Sequence, residues 1–273
     1  GRIYKFITLL LNLKPDEHEF KVMGMAPYAK REYYFKIYKK VFKDILKFRN
    51  LAIIHNKRPK DLYQYLKEKL KFERFDNIAG AVQFYLEKMI IKLVNKISKK
   101  YKIKSFFFSG GISMNIKMYN ELAKEKRVKK IYNAPSGGDE SISIGACYYL
   151  NRKKNSLPIK NLSLGQPLLT KNEKLEDIIF AAFAKKKYKI QENTSPKKVA
   201  KLLIKNKIIA LANGREEFGA RALGNRSIVS NPSDFQNIQR INSLIKNRDF
   251  WMPFSLTIRN QNINEYLKNP KKL

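Results

Sequence analysis

The chain has 273 residues, 44% of them hydrophobic, and this length and composition exclude a disordered segment and a mini-scaffold. Its 57 basic and 23 acidic residues give a formal net charge of +34, so anionic partners must be considered. The single cysteine, Cys147, excludes an intramolecular disulfide, and no apolar run approaches the roughly 18 residues of a membrane span, so we predict a cytoplasmic protein without a membrane partner.

The first half of the chain carries two predicted amphipathic helices. Aromatic and aliphatic residues recur among lysines from Arg31 to Phe48, which predicts a helix with lysines on its solvent-exposed face. Asp76 is the predicted cap of a second helix. The apolar stripe of that helix comprises Ile78, Val82, Leu86, Met89, Leu93, Val94 and Ile97. We interpret the stripe as core rather than as a cofactor-binding surface.

Two strand–turn–helix units come next, which indicates an α/β fold. The first unit consists of the strand Ser105–Phe108, the turn Ser109–Gly111 and the helix Asn115–Lys124, and the second of the strand Lys130–Ala134, the turn Pro135–Gly138 and the helix Asp139–Leu150. The polar stretch Asn151–Gln166 is a candidate domain boundary.

The second half predicts further helices and strands around one unusual loop. The predicted helices are Leu175–Ala184, Lys197–Lys205 after a Ser195-Pro196 cap, and Asp234–Ile245, and the predicted strands are Tyr188–Gln191 and a buried Lys207–Ala212. Between the last strand and the last helix lies the loop Gly214–Ile228, which is rich in arginine and glycine.

The glycine turns are candidate nucleotide-binding segments. Gly110 and Gly111 follow the strand closely, and glycine there lets the backbone approach a ligand. Phosphate oxygens of such a ligand can accept hydrogen bonds from the backbone N–H groups. Ser109 and Asn115 add a hydroxyl and an amide that could reach a ribose or a phosphate, and Gly138 ends the second turn. An ordinary turn between a strand and a helix remains the alternative.

Asp139 follows the second glycine turn and has two interpretations. An aspartate in this place commonly caps a helix. It can also project its carboxylate as a metal ligand into the crevice where α/β proteins bind their ligands. From the residue alone the cap is favoured.

The loop Gly214–Ile228 is a candidate anion site. It holds Arg215, Arg221 and Arg226 among three glycines, whereas most basic residues elsewhere are lysines. Guanidinium groups bind phosphate and carboxylate oxygens bidentately. Lys246 and Arg248 follow downstream and could complete such a pocket. A nucleic-acid surface that uses neighbouring aromatic rings for stacking is the alternative.

Four segments in order resemble the carbamoyltransferases that modify nodulation factors and antibiotics. They are KVMGMAPY at 21–28, SGGISMN at 109–115, PSGGDESISIGA at 135–146, and GREEFGARALGNRSI at 214–228 with the downstream NSLIKNRDFWMPF. The last is similar to the family motif GRxEFGPRALGNRSI and departs from it at Ala220, where proline is usual. Because the family extends beyond both ends of these matches, we expect an internal fragment of a longer protein.

The resemblance implies an α/β fold in two domains. Residues 1–157 would be the C-terminal part of a Kae1-like ATPase domain related to actin and sugar kinases, and residues 158–273 part of a YrdC-like α/β domain. In the family, the second domain forms carbamoyl adenylate from carbamoyl phosphate and ATP. The first domain then transfers the carbamoyl group to a hydroxyl of a sugar or a secondary metabolite. This transfer takes place near a bound divalent metal, iron or magnesium.

The resemblance also assigns roles by position. Asp139 matches the metal ligand, and Gly110, Gly111 and Asn115 match the nucleotide turn. Ser109 and Gly138 are further candidates for contact with the nucleotide. The activation-site motif contains Arg215, Arg221, Arg226, Lys246 and Arg248 as catalytic candidates, with Asn225 and Ser227 as binding candidates. The motif does not tell which of these touch substrate and which hold its shape.

Two other functions stay open. The charge of +34 is compatible with a basic nucleic-acid-binding module, although no helix-turn-helix, zinc-finger or RNA-binding signature supports one, so no specific nucleic acid is expected. Another ATPase of the same superfamily, acting without carbamoyl phosphate, is the second alternative. The sequence leaves a homodimer open.

Overall fold

The computed structural model describes residues 1–56, 59–152, 154, 156–169, 173–174, 176–177, 191 and 194–267. Its contacts fall into two compact units, unit 1 with Gly1–Asp139 and Trp251–Leu273, and unit 2 with Glu140–Phe250. The described residues form helices and three two-stranded sheets, which confirms a mixed α/β fold. The domain boundary at 157/158 and the Kae1-like and YrdC-like assignments stay predictions.

Unit 1 consists mainly of helices. They are α1 (Arg2–Leu10), α2 (Glu19–Met25), α3 (Arg31–Ile37), α4 (Leu62–Leu70), α5 (Phe75–Tyr101) and α6 (Ile116–Ala123). Its strands are β1 (Leu46–Arg49), β2 (Ala52–His55), β3 (Ser105–Phe108) and β4 (Lys130–Asn133). Strands β1 and β2 pair antiparallel, and β3 and β4 pair parallel with Ser105 opposite Lys130.

Helix α5 is the centre of unit 1, and five of the seven residues of its predicted stripe belong to the core or pack against it. Ile78 and Val82 are buried in a cluster with α1, α2 and α4, where Leu86 and Met89 pack against it. Further along the helix, Val94 joins a second cluster with Met118, Leu122, Val128 and Ile131. The long helix therefore anchors both the helical layer and the β3–β4 pair.

The predicted helix 31–48 is too long. Helix α3 ends at Ile37, Tyr38–Phe42 winds as a wider π-helical turn, and Leu46–Arg49 is strand β1. Leu46 and Phe48 are half-buried while Lys47 and Arg49 are exposed, an alternation that suits a strand pairing on one face. Asn50 adopts a left-handed φ of 56° and closes the hairpin.

Asp76 does not cap α5, contrary to prediction. The N-cap is Arg74, and Asp76 lies in the first turn of the helix. Its carboxylate accepts hydrogen bonds from the Arg74 guanidinium at 3.0 and 3.2 Å and from the backbone N–H of Asn77 at 2.8 Å. The hydrogen bond from Arg74 lowers the pKa of this carboxyl, and the charge still meets the positive end of the helix.

Unit 2 contains α7 (Ser141–Leu150), α8 (Pro196–Ile204), β5 (Ile209–Ala212), β6 (Arg226–Val229) and α9 (Gln236–Arg240), which continues as a π-helical turn at Ile241–Ile245. The Ser195 hydroxyl accepts from the Lys198 N–H, so the predicted cap is confirmed. Strand β5 pairs antiparallel with β6 but is mostly exposed, not buried as predicted. The predicted elements 175–184 and 188–191 fall largely outside the described residues. The last helix, α10 (Ile263–Tyr266), belongs to unit 1.

Candidate functional site

The first glycine turn lies at the carboxyl end of β3. Gly110 has a φ of +89°, which glycine adopts without strain, and its carbonyl accepts from the Ser113 N–H at 2.8 Å to start a 3-10 turn at Gly111–Met114. A Cβ added at Gly110 or Gly111 would meet no atom within 4 Å. The space beside the backbone of this turn is therefore open, and its predicted role in nucleotide binding stays a prediction.

The second glycine turn packs directly on the first. A Cβ on Gly137 would lie 2.5 Å from Ser113 Oγ, 2.7 Å from Met114 Cγ and 2.9 Å from the Gly110 carbonyl oxygen. Because β3 and β4 are parallel, both turns leave the sheet at the same edge, and only glycine permits this approach.

Asn115 is buried and occupied by protein partners. Its Nδ2 donates to Gln83 Oε1 at 2.9 Å, and its Oδ1 accepts from Gln83 Nε2 at 3.0 Å and from the Met118 N–H at 3.0 Å. Gln83 Oε1 also accepts from the Tyr4 hydroxyl at 3.0 Å. Asn115 thus caps α6 and joins it to α5, so its evident contribution is to fix the helix behind the glycine turn.

Asp139 is exposed just before α7. That helix begins at Ser141 with Glu140 as its N-cap, so the predicted helix start and cap at Asp139 are wrong. Among the described residues no group of three or more His, Cys, Asp or Glu side chains could hold a metal ion. In the part of the chain that the structure describes, the side chains around Asp139 therefore do not form a complete metal site.

The arginine-glycine loop of unit 2 is held by a short backbone ladder. The Leu168 N–H donates to the Gly214 carbonyl at 3.0 Å, the Glu216 N–H to Gln166 at 2.9 Å, and the Gly165 N–H to Glu216 at 3.0 Å. The segment 162–168 thus runs beside 214–218. This fixes one arm of the loop, and β6 fixes the other.

Two of the three loop arginines bind backbone carbonyls. Arg215 donates from Nε to the Gly165 carbonyl at 2.8 Å and from Nη2 to Leu164 at 3.1 Å. Arg226 donates from Nη1 to the carbonyls of Asn213 and Asn225, both at 3.0 Å, and from Nη2 to Gly214 at 3.2 Å. These guanidinium groups hold the loop in shape.

Asn225 and Ser227 also bind within the loop. Asn225 Nδ2 donates to the Arg215 carbonyl at 2.7 Å and to Ser163 Oγ at 2.8 Å. Ser227 Oγ accepts from the Gly224 N–H at 3.0 Å, next to a glycine whose φ is +114°. Four of the predicted residues, Arg215, Asn225, Arg226 and Ser227, are therefore brought together as one hydrogen-bonded frame.

Glu217 was given no role by the sequence reasoning, yet it organises this loop. Its Oε1 accepts from the backbone N–H groups of Asn225 at 2.6 Å, Leu223 at 2.8 Å and Arg226 at 3.1 Å. Partial loss of water by itself raises the pKa of this carboxyl, but these hydrogen bonds outweigh it and lower the pKa to about 2. An acidic residue at this position of the motif was the available signal.

Arg221 lies exposed between Glu217 and Leu223, two residues after Gly219, whose φ is +96°. Lys246 and Arg248 belong to the turn after α9, where Arg248 Nε donates to Asn242 Oδ1 at 2.5 Å and partial burial lowers the pKa of its guanidinium. Lys246 is exposed. Arg221 and Lys246 are thus solvent-accessible cations, whereas Arg248 is half-buried.

A basic groove in unit 1 lies apart from these motifs. It has a volume of about 800 Å³, and its described lining includes Lys43, Lys47, Lys88, Lys92, Lys96, Lys99 and Arg127 but a single carboxylate, Asp44. Lys92 and Lys96 place their ammonium groups 5.6 and 6.0 Å from the centre of the Phe48 ring.

In the described part of the chain, no helix has the length and apolar character to cross a membrane.

Comparison with known proteins matches two parts of the chain to family models. A family model for the carbamoyltransferase N-terminus matches residues 1–148, and one for the carbamoyltransferase C-terminus matches residues 200–272. The protein MJ1051 of Methanocaldococcus jannaschii is 32% identical over 99% of this chain and 53% of its own length. The nodulation protein NolNO of Sinorhizobium fredii is 24% identical over 92% of this chain and 38% of its own, and NolO of Bradyrhizobium diazoefficiens is 23% identical over 92% and 47%.

The chain therefore spans about half the length, or less, of these curated relatives. The family models together match both glycine turns and the arginine-glycine loop, so the resemblance drawn from the four motifs is confirmed. The chain belongs to the carbamoyltransferase family.

Proposed function

We propose that this protein is an ATP-dependent O-carbamoyltransferase. Unit 2 activates carbamoyl phosphate with ATP as carbamoyl adenylate, and the carbamoyl group then passes to a hydroxyl of a sugar or a secondary metabolite. The observation that carries the proposal is the loop 214–228, which fixes its backbone with Arg215 and Arg226 and leaves Arg221 exposed. Family membership supports the carbamoyl transfer itself.

The proposed activation and transfer of the carbamoyl group take three steps. Water first cleaves the phosphorus–oxygen bond of carbamoyl phosphate and gives carbamate and phosphate. A carbamate oxygen then attacks the α-phosphorus of ATP and expels pyrophosphate. Finally the acceptor oxygen attacks the carbamoyl carbon, AMP leaves with the bonding electron pair, and the hydroxyl proton passes to water or a base.

A guanidinium in the position of Arg221 suits the first two steps. Both substrates are anions, so a cation with a forked donor pattern offsets their repulsion and stabilises charge that develops on the transferring group. The open glycine turn of unit 1 supports nucleotide binding by the protein, because a Cβ at Gly110 or Gly111 would meet no atom within 4 Å and phosphate oxygens can approach a backbone of this kind.

The test is product release by the purified full-length protein. Release of pyrophosphate should require ATP and carbamoyl phosphate together. Arg221→Ala should lower the rate by about 100-fold, in line with the loss of one positioned charge at a transition state. Arg259→Ala removes an exposed arginine of unit 1 outside the motifs and should leave the rate unchanged. Equal rates in both variants would exclude Arg221 from the site.

The basic groove of unit 1 supports a second candidate function, the binding of nucleic acid. The described lining of the groove has seven basic side chains and a single carboxylate, and aromatic rings lie among them. A short single-stranded oligonucleotide would then bind with an affinity that falls steeply as salt rises. Fluorescence anisotropy of a labelled oligonucleotide measures this, and absence of binding near physiological salt would dismiss the candidate.

A further inference from the structure

Glu217 closes a small loop by its side chain alone. Its carboxylate oxygen accepts from the Leu223 N–H at 2.8 Å, across the five residues 218–222. The same oxygen accepts from the N–H groups of Asn225 and Arg226 at 2.6 and 3.1 Å. Charge-assisted bonds of this kind are stronger than those between neutral groups. The carboxylate thus ties both ends of the segment that contains Arg221.

The segment it closes cannot hold its shape by regular secondary structure. Residues 218–222 belong to no helix or strand, and Gly219 and Gly224 take φ values of +96° and +114°. Glycine backbones are entropically costly to order. The loop therefore depends on side chains to select one conformation, and the Glu217 carboxylate bonds directly from one flank of the segment to the other.

The other polar residues of the motif fix different parts of the loop. Arg215 holds the arm beside 164–165, and Arg226 holds the carbonyls at 213–214. Ser227 binds the N–H of Gly224. The contacts of Asn225 with Arg215 and of Arg226 with 213–214 also span Arg221, but among the contacts of the described residues the Glu217–Leu223 bond closes the smallest ring around it.

We propose that Glu217 is a positioning residue that presents Arg221 to the anionic substrate. The inference rests on the proposed function for its kinetic consequence. Glu217 itself touches no substrate, because its charge is directed at three backbone N–H groups. Without the Glu217 carboxylate, Arg221 would be chemically intact but would populate many conformations. Substrate would then bind more weakly, because binding would have to order the loop at a cost in entropy.

The kinetic test compares Glu217→Gln with Glu216→Gln in the full-length protein. Glu216 is the adjacent carboxylate, is mostly exposed, and makes a long contact of 3.9 Å with Arg226. We expect Glu217→Gln to raise KM for carbamoyl phosphate by about tenfold and KM for ATP in the same direction, and Glu216→Gln to behave as wild type. A merely structural loss would lower the active fraction, and so kcat, without changing either KM.

A double variant separates an effect through Arg221 from a general one. If Glu217 acts through Arg221, adding Glu217→Gln to Arg221→Ala should change the rate by less than about twofold, because the group it positions is already absent. Rate losses that multiply in the double variant would overturn the proposal. Glu217→Gln with unchanged kinetics beside an active wild type would overturn it as well.

Amide hydrogen exchange tests the same proposal without turnover. The N–H groups of Leu223, Asn225 and Arg226 should exchange at least about tenfold more slowly in wild type than in an unfolded chain, and should lose this protection in Glu217→Gln but not in Glu216→Gln. Unprotected amides in wild type would overturn the proposal even if the glutamine variant did not fold. A wild type that protects these amides but releases no pyrophosphate would instead count against the proposed function.

Discussion

The contact between the two glycine turns can be tested by adding one methyl group. In Gly137→Ala the new Cβ would lie 2.5 Å from Ser113 Oγ, 2.7 Å from Met114 Cγ and 2.9 Å from the Gly110 carbonyl oxygen. The Ser113 hydroxyl and the methionine can rotate, but the carbonyl belongs to the backbone of the turn that caps β3. The two turns would therefore have to separate.

Overpacking of this kind costs about 1–3 kcal/mol. Each kcal/mol lowers the melting temperature by about 2–4 °C in a protein of this size class, so we expect a loss of about 2–12 °C. Gly111→Ala is the matched control, since its Cβ meets no atom within 4 Å, and its effect on stability should stay within about 0.5 kcal/mol.

The assay is urea unfolding followed by tryptophan fluorescence. Trp251 is the single tryptophan, and it packs in unit 1 with its ring 6.4 Å from that of Phe75, so it reports the unit in which both glycines lie. The urea midpoint of Gly137→Ala should fall with the slope unchanged. A midpoint equal to that of wild type, or an equal loss in Gly111→Ala, would refute the packing of one turn on the other.

Three further predictions concern buried polar groups and the loop frame. Gln83→Leu removes the partner of two buried groups, the Asn115 amide and the Tyr4 hydroxyl, and should lower the stability of unit 1 by about 1–3 kcal/mol in the same urea assay; wild-type stability would show that the pairing is dispensable. Arg226→Lys should destabilise unit 2 in thermal melts followed by circular dichroism, because an ammonium on a flexible stem cannot replace a fork that holds three carbonyls; an unchanged melt would contradict this. The pKa of Glu217, about 2, lies below the usual value of about 4.3, so its stabilisation is present above pH 4.3 or so and is lost as pH falls toward 2, a loss that should be absent in Glu217→Gln.

The strand–turn–helix units could be predicted from the sequence because their signals are local. The run Ser105–Phe108 ends at a glycine pair, and Asn115 occupies a helix N-cap, so pattern and structure agree. The helix 31–48 was overextended because Leu46 and Phe48 fit both a helical and an alternating pattern. Residues 46–49 form a strand because they pair with β2 and because the chain turns at Asn50. Neither feature can be recognised from the residues 31–48 alone.

The sequence could not predict which arginines of the arginine-glycine loop bind backbone carbonyls and which is exposed. Composition shows three arginines in one loop, but each guanidinium can bind either a ligand or a carbonyl. That choice depends on the segment 162–168, about fifty residues away, whose carbonyls accept from Arg215. The acidic residue in the motif is visible at Glu217, but its partners are backbone N–H groups, so the sequence does not tell what it binds.

The most direct test of the central claim is isotope exchange between pyrophosphate and ATP. Reversible formation of carbamoyl adenylate returns labelled pyrophosphate to ATP without any acceptor, so the unknown hydroxyl compound is not needed. We predict that the full-length protein catalyses this exchange only when carbamoyl phosphate is present, and that Arg221→Ala slows it by about 100-fold. Exchange that proceeds equally without carbamoyl phosphate, or that is undiminished in Arg221→Ala, would contradict activation of carbamoyl phosphate at this loop.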